Sequence, residues 1–91
     1  MHAVVVRSTI HDFDTARKFL TETAIPWISQ SPGFVSGQWV RFDDTDTGSS
    51  MVVFESEEAA KTAAEQLKAN PPPGSAVTID SIEVGELIER A

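Results

Sequence analysis

The chain has no cysteine, no tyrosine and no long hydrophobic run, and only 7 of its 91 residues are lysine or arginine. Without cysteine it has neither disulfides nor thiolate metal ligands to reinforce a small core. The 7 basic residues are scattered among 14 acidic ones, giving a formal charge of -7 and a pI near 4.5. That balance argues against phosphate backbones and anionic lipid surfaces, so neither nucleic acid nor membrane is expected as a partner. No apolar stretch approaches the roughly 20 residues of a membrane span. Met1 and His2 run straight into Ala3-Val4-Val5-Val6, which lacks the length and basic start of a secretion signal, and the expected location is cytoplasmic. No Gly-rich phosphate loop, nucleophile elbow or zinc spacing is present either.

At 41% hydrophobic and 23% charged, the composition is that of an ordinary soluble protein. Residues 1–91 supply enough chain for one core and too little for two. Ala3 to Thr9, with three successive valines, reads as a strand. Asp12 or Asp14 can cap a helix whose apolar positions are Phe13, Ala16, Phe19, Leu20, Ala24, Trp27 and Ile28, close to a 3.6-residue period. Pro26 falls inside that pattern, so the helix must kink near Glu22 to Ile25 or restart there. Ser31-Pro32-Gly33 stops it, and an alternating strand runs from Phe34 to Phe42. In that strand Phe34, Ser36, Gln38, Val40 and Phe42 share one face, and Val35, Gly37, Trp39 and Arg41 the other. A polar loop, Asp43 to Ser49, leads to a third strand, Ser50 to Phe54. Ser56 caps a second helix to about Ala69 with a face of small residues, and Asn70 to Ser75 ends it. The last strand carries Val77, Ile79, Ile82, Val84, Leu87 and Ile88; its parity switches between Ile79 and Ile82 and again after Gly85, which calls for a bulge or bend.

This β-α-β-β-α-β order, with right-handed crossovers, predicts an α+β ferredoxin-like fold: one four-stranded antiparallel sheet with two helices on one face. Val4-Val5-Val6 and Met51-Val52-Val53-Phe54 are apolar on both faces, and the helices cover only one. A second copy of the sheet is the economical cover, so a homodimer is expected.

Three segments carry a resemblance to a known family: Ser31-Pro32-Gly33-Phe34, Trp39-Val40-Arg41, and Phe54-Glu55-Ser56-Glu57-Glu58-Ala59-Ala60. On these and on its element order the chain resembles the dimeric α/β-barrel superfamily, which includes antibiotic-biosynthesis monooxygenase-like and stress-responsive barrel proteins. The resemblance implies two sheets packed face to face into a barrel, with a ligand cleft in each protomer between sheet and helices. It implies activities ranging over cofactor-independent oxygenation of aromatic polyketides, haem degradation, lactone isomerisation and polyketide cyclisation; some members have no known catalysis. Haem-degrading members use an Asn on the first strand, a Trp entering the second helix and a His along it. Here the only asparagine is Asn70, Phe54 or Glu55 stands where the Trp would fall, and the second helix has no histidine.

Cofactor-free oxygen chemistry needs a base to form an electron-rich substrate anion and donors to stabilise it. His11, just before a helix N-terminus, is the candidate catalytic base; as a plain turn residue it would simply be solvated. His2, near the chain start, is a weaker candidate. Trp39 can stack on a planar ligand while Arg41 neutralises an anionic oxygen, although Trp39 can also serve as packing and Arg41 can pair with Asp43 or Asp44. Trp27 can roof the cleft or belong to the core. Asp44-Thr45-Asp46-Thr47-Gly48 superficially opens like a calcium loop, but Ser49 stands where that loop needs glycine, and no metal is expected. The expected function is a homodimer that binds a small apolar or aromatic molecule without a cofactor, acting as a monooxygenase. The alternatives are a non-catalytic binding module and an isomerase or cyclase using His11.

Overall fold

Asp12 and Ser56 set where the helices begin. Both have extended backbones, and each side chain accepts a hydrogen bond from the amide three residues on: Thr15 N to Asp12 Oδ1 at 3.2 Å, Ala59 N to Ser56 Oγ at 3.1 Å. The Thr15 hydroxyl also donates to Asp12 and, ahead of the Thr15 amide, holds that carboxyl below its ordinary pKa. The computed structural model describes all 91 residues. In chain order the elements are β1 (His2–Ile10), α1 (Phe13–Phe19), a π-helical turn (Leu20–Ala24), α2 (Ile25–Ser29), β2 (Phe34–Arg41), β3 (Thr47–Phe54), α3 (Glu57–Ala69) and β4 (Val77–Glu86).

The four strands form one antiparallel sheet in the order β2-β3-β1-β4, with both helical regions on one face. This is the α+β ferredoxin-like fold expected from the element order. Pro26 is accommodated without breaking the first helical run. It lies in the first turn of α2, and the turn before it widens so that the Ile25 amide reaches back to the Leu20 carbonyl, one residue further than in an α-helix.

Strand parity follows the register. The bulge expected between Ile79 and Ile82 is present: Ser81 pairs with Arg7 and Ile79 with Ser8, which leaves Asp80 extra. Asp80 then accepts from the Thr9 hydroxyl at 2.8 Å. The second parity switch is the end of the strand, where the Leu87 amide bonds to the Met1 carbonyl and Ile88 is 89% exposed. One boundary and one register differ from the sequence reading. β3 starts at Thr47, because Thr47 to Ser49 pair with β1 and Gly48 and Ser49 also pair with β2, so the hairpin loop is shorter than Asp43 to Ser49. In β2, Phe34 pairs with Phe54 and Ser36 with Val53, so Val35 is an extra residue. That bulge moves Phe34 to the face of Gly37, Trp39 and Arg41, where its ring meets Phe54 edge-on at 6.3 Å.

The helix-facing residues are therefore Val4, Val6 and Ser8 on β1, Gly48, Ser50, Val52 and Phe54 on β3, and Val84, Ile82 and Ile79 on β4. Phe54 is fully buried and centres a cluster with Val4, Val6, Val52, Ala60, Ala63 and Ala64. Alanines on α3 let that helix lie close to the sheet, and burying Phe54 contributes about 2–3 kcal/mol. Gly33 has a φ of 81°, and a Cβ there would stand 2.9 Å from Ala59 Cβ, so the Pro-Gly join needs glycine twice over. On the opposite face Val40, Phe42 and Met51 remain 50%, 40% and 36% exposed, with the Arg7 guanidinium 5.6 Å from the Phe42 ring centre. No helix is long and apolar enough to cross a membrane.

Candidate functional site

The sheet has two ends, and only one is filled. Along the helix-facing side of β3 the residues grow from Gly48 and Ser50 to Val52 and Phe54. At the large end α3 closes directly onto the sheet. At the small end, where Ser8 pairs with Gly48 and Val6 with Ser50, the first helical run stands off, and none of its residues is buried. The gap is a cavity of about 720 Å³. Its roof comes from Phe13, Phe19, Leu20 and Trp27, and its floor from Val6, Ser8, Ile10, Ser50 and Trp39; Pro71 and Pro72, after α3, border it.

Three of the four residues singled out by the sequence line this space: Trp27, Trp39 and Arg41. Trp39 lies back over Gly37, where a Cβ would fall 2.8 Å from Trp39 Cη2 and 3.1 Å from Cζ3. Glycine at 37 is thus what lets the indole rest against the sheet. Arg41 borders the acidic loop of Asp43, Asp44 and Asp46, but no carboxylate pairs with it within 4.0 Å; the protein's three ion pairs involve Glu57 and Glu65. Its guanidinium instead lies 3.7 Å from the centre of the Phe13 ring. One helical turn along from Phe13, Arg17 also lines the cavity.

The fourth, His11, is not among the lining residues; its Nε2 is 2.7 Å from the Thr78 hydroxyl. His2 pairs with Glu57 at 3.2 Å. The Glu57 carboxyl is held below its ordinary pKa, first by the hydrogen bond from Lys61, then by the charges of Lys61 and His2. Sequence reasoning missed Phe13 and Arg17 as site residues. Phe13 was legible only as part of an apolar stripe, and the i,i+4 step from it to Arg17 was the available signal. No group of three or more His, Cys, Asp or Glu is arranged to hold a metal ion. The cavity also offers haem iron no histidine ligand, so these residues do not fit that group.

No family model and no curated protein sequence matches the chain. Solved structures do. A cofactor-independent oxygenase, SnoaB from Streptomyces nogalater, superposes with a TM-score of 0.72 at 19% identity, over 98% of this chain and 94% of that one. The haem degrader MhuD from Mycobacterium tuberculosis, solved with two haems in its active site, gives 0.64 at 20% identity, over 97% and 98%. A dimeric ferredoxin-like protein from an uncultured marine organism gives 0.61 at 10% identity, over 100% and 98%. The chain has the fold of these proteins. The resemblance to antibiotic-biosynthesis monooxygenase-like proteins of ferredoxin-like fold is borne out at that level.

Proposed function

We propose that the protein binds a small, largely apolar or aromatic molecule in the cavity between its sheet and first helical run, with Trp27, Trp39 and Arg41 as ligand contacts. The observation that carries this reading is the unfilled space itself: about 720 Å³ under a helical stripe of large apolar residues that is not buried. A stripe of that kind normally closes onto a core, and pockets of roughly 300–1,000 Å³ with aromatic walls and a few polar groups suit small organic ligands. The test is a fluorescence titration with a fused-ring aromatic such as 2-naphthol, following the two tryptophans. Quenching that saturates in the wild type and weakens at least tenfold in Trp39→Ala supports the reading. Unchanged emission up to the solubility limit of the probe overturns it.

A catalytic reading, cofactor-independent oxygenation, rests on the likeness to SnoaB. In such a reaction one oxygen atom of O2 enters a ring carbon as C=O, replacing two hydrogens, and the other leaves as water. Anthrone-like substrates incubated under air and under nitrogen test it: turnover only under air supports oxygenation, and binding without turnover leaves a non-catalytic module. An isomerase or cyclase working through His11 is less well supported, because that side chain bonds to Thr78 and does not line the cavity.

We also propose a homodimer joined through the outer sheet face, where Val40, Phe42 and Met51 stand exposed. The similarity to a dimeric ferredoxin-like protein supports it. Light scattering after size-exclusion chromatography should give twice the 9.9 kDa of one chain. A mass of one chain at micromolar concentration overturns the dimer.

A further inference from the structure

Charge is distributed oddly around the cavity. The chain has 14 acidic residues and 7 lysines and arginines. Around the cavity that ratio inverts: Arg17 and Arg41 line it, and no Asp or Glu does. Neither arginine has a carboxylate within 4.0 Å. Phe13 joins them, with the Arg41 guanidinium on its ring and Arg17 one turn further along the same helix. The other polar lining side chains are hydroxyls, the indole N–H groups of Trp27 and Trp39 and the Asn70 amide, and His, Tyr, Lys and Cys are all absent from the wall. The cavity thus presents two unpaired cations and no group able to take a proton, since arginine stays protonated.

We infer that the site takes its aromatic ligand as an oxyanion, an acidic phenol or enol, and that Arg17 and Arg41 favour ionisation of the bound molecule. The inference rests on the binding reading above and adds its chemistry: the wall supplies no base, so the ligand must ionise by itself. The charged groups bearing on that oxygen are few. α1 contributes Arg17 and β2 contributes Arg41; α3, β1, β3 and β4 put no charged side chain into the wall. The three loop aspartates share an outer groove with Arg41 and oppose it. Those aspartates and the overall charge of -7 lie on the side of the neutral phenol, as does desolvation. Distant charges are screened beyond roughly 8 Å, whereas a phenolate against the guanidinium makes direct charge-assisted bonds. Both arginines are exposed, so the expected preference is about tenfold, not thousandfold.

The experiment uses umbelliferone, a phenol whose absorbance reports its ionisation, and its methyl ether, which cannot ionise. Bound umbelliferone should titrate about one pH unit below the free dye, equivalent to tenfold tighter binding of the anion. Arg41→Gln and, at an exposed helix position, Arg17→Gln should each remove a large part of that shift, weakening binding of the anion more than binding of the methyl ether. If the methyl ether binds and the bound phenol titrates at or above its free value, the oxyanion inference fails and the binding reading survives. If neither probe quenches the tryptophans, the binding reading fails and takes the inference with it. A shift retained in full by both variants also overturns the assignment to these arginines.

Discussion

Gly37→Ala is the sharpest probe of how Trp39 is held. A Cβ built at residue 37 lies 2.8 Å from Cη2 and 3.1 Å from Cζ3 of the indole, and 3.5 Å from Val52 Cγ2. Carbon atoms settle at about 3.5–4.0 Å, so the nearest pair overlaps by about 0.7 Å. Two terms oppose each other. Replacing glycine stiffens the unfolded chain and stabilises by about 0.4–1 kcal/mol, while overpacking costs about 1–3 kcal/mol. The second wins, for a net loss of about 1 kcal/mol, or roughly 4–8 °C in Tm for a domain of this size. The indole can yield only by swinging off the sheet into the cavity, which changes its surroundings. A Trp27→Phe background isolates its emission, which should shift to longer wavelength as the ring meets water. A double-mutant cycle locates the cause: with Trp39→Phe the far ring atoms are gone, and Gly37→Ala should cost nothing further. If Gly37→Ala leaves Tm and emission unchanged, or costs the same in the Trp39→Phe background, the packing described here is wrong.

Four further outcomes can be measured. Phe54→Ala should lose about 3–5 kcal/mol in urea unfolding, whereas truncating the exposed Ile88 should stay within about 0.5 kcal/mol. Ser56→Ala, which removes the cap of α3, should cost about 1 kcal/mol by the same measurement. Glu57, held below its ordinary 4.5 chiefly by Lys61, stabilises the fold when ionised; that contribution is present above 4.5 and lost as pH falls through the lowered value. Tm should therefore fall less steeply on acidification in Glu57→Gln than in wild type. Ser50→Leu, which fills the cavity floor, should raise stability by about 0.5–2 kcal/mol and abolish quenching by 2-naphthol.

Much of the fold was legible because its signals are local. Ser56 and Asp12 announce helix starts by their type, and the valine-rich strands by their composition. Even the β4 bulge could be read, since a buried face forces the apolar parity to jump where Asp80 is inserted. The β2 bulge escaped notice because Val35 is apolar on either reading, so no polar residue betrayed the slip that carries Phe34 across the sheet. The start of β3 was obscured for a related reason: Thr47, Gly48 and Ser49 look like loop residues, and only pairing with neighbouring strands makes them sheet.

The cavity poses a harder question, since a helical stripe of large apolar residues predicts a core just as well as a ligand wall. Periodicity cannot separate the two, because both need the same face. What separates them is the size of the residues beneath. Alternate positions of β3 read Gly48, Ser50, Val52, Phe54, all toward the helices. A sheet packed uniformly by two helices would carry large side chains along that whole row, as interiors tolerate few voids. Small residues at one end leave room that a close helix, a neighbouring side chain or a ligand must fill; Ile10, whose Cδ1 would stand 3.2 Å from a Cβ at Gly48, takes part of it. α3, with its alanines, lies close at the Phe54 end, where the floor is large. Above Gly48 and Ser50 the roof is instead Phe13, Phe19, Leu20 and Trp27, on a run that continues past Pro26 through its π turn without burying any residue. At this end only, an unburied roof of large residues stands over a floor that sets Ser8 and Ser50 among Ile10 and Trp39. A core lost through poor packing would give no reason for the two arginines to gather at that same end without a carboxylate, and a binding site does.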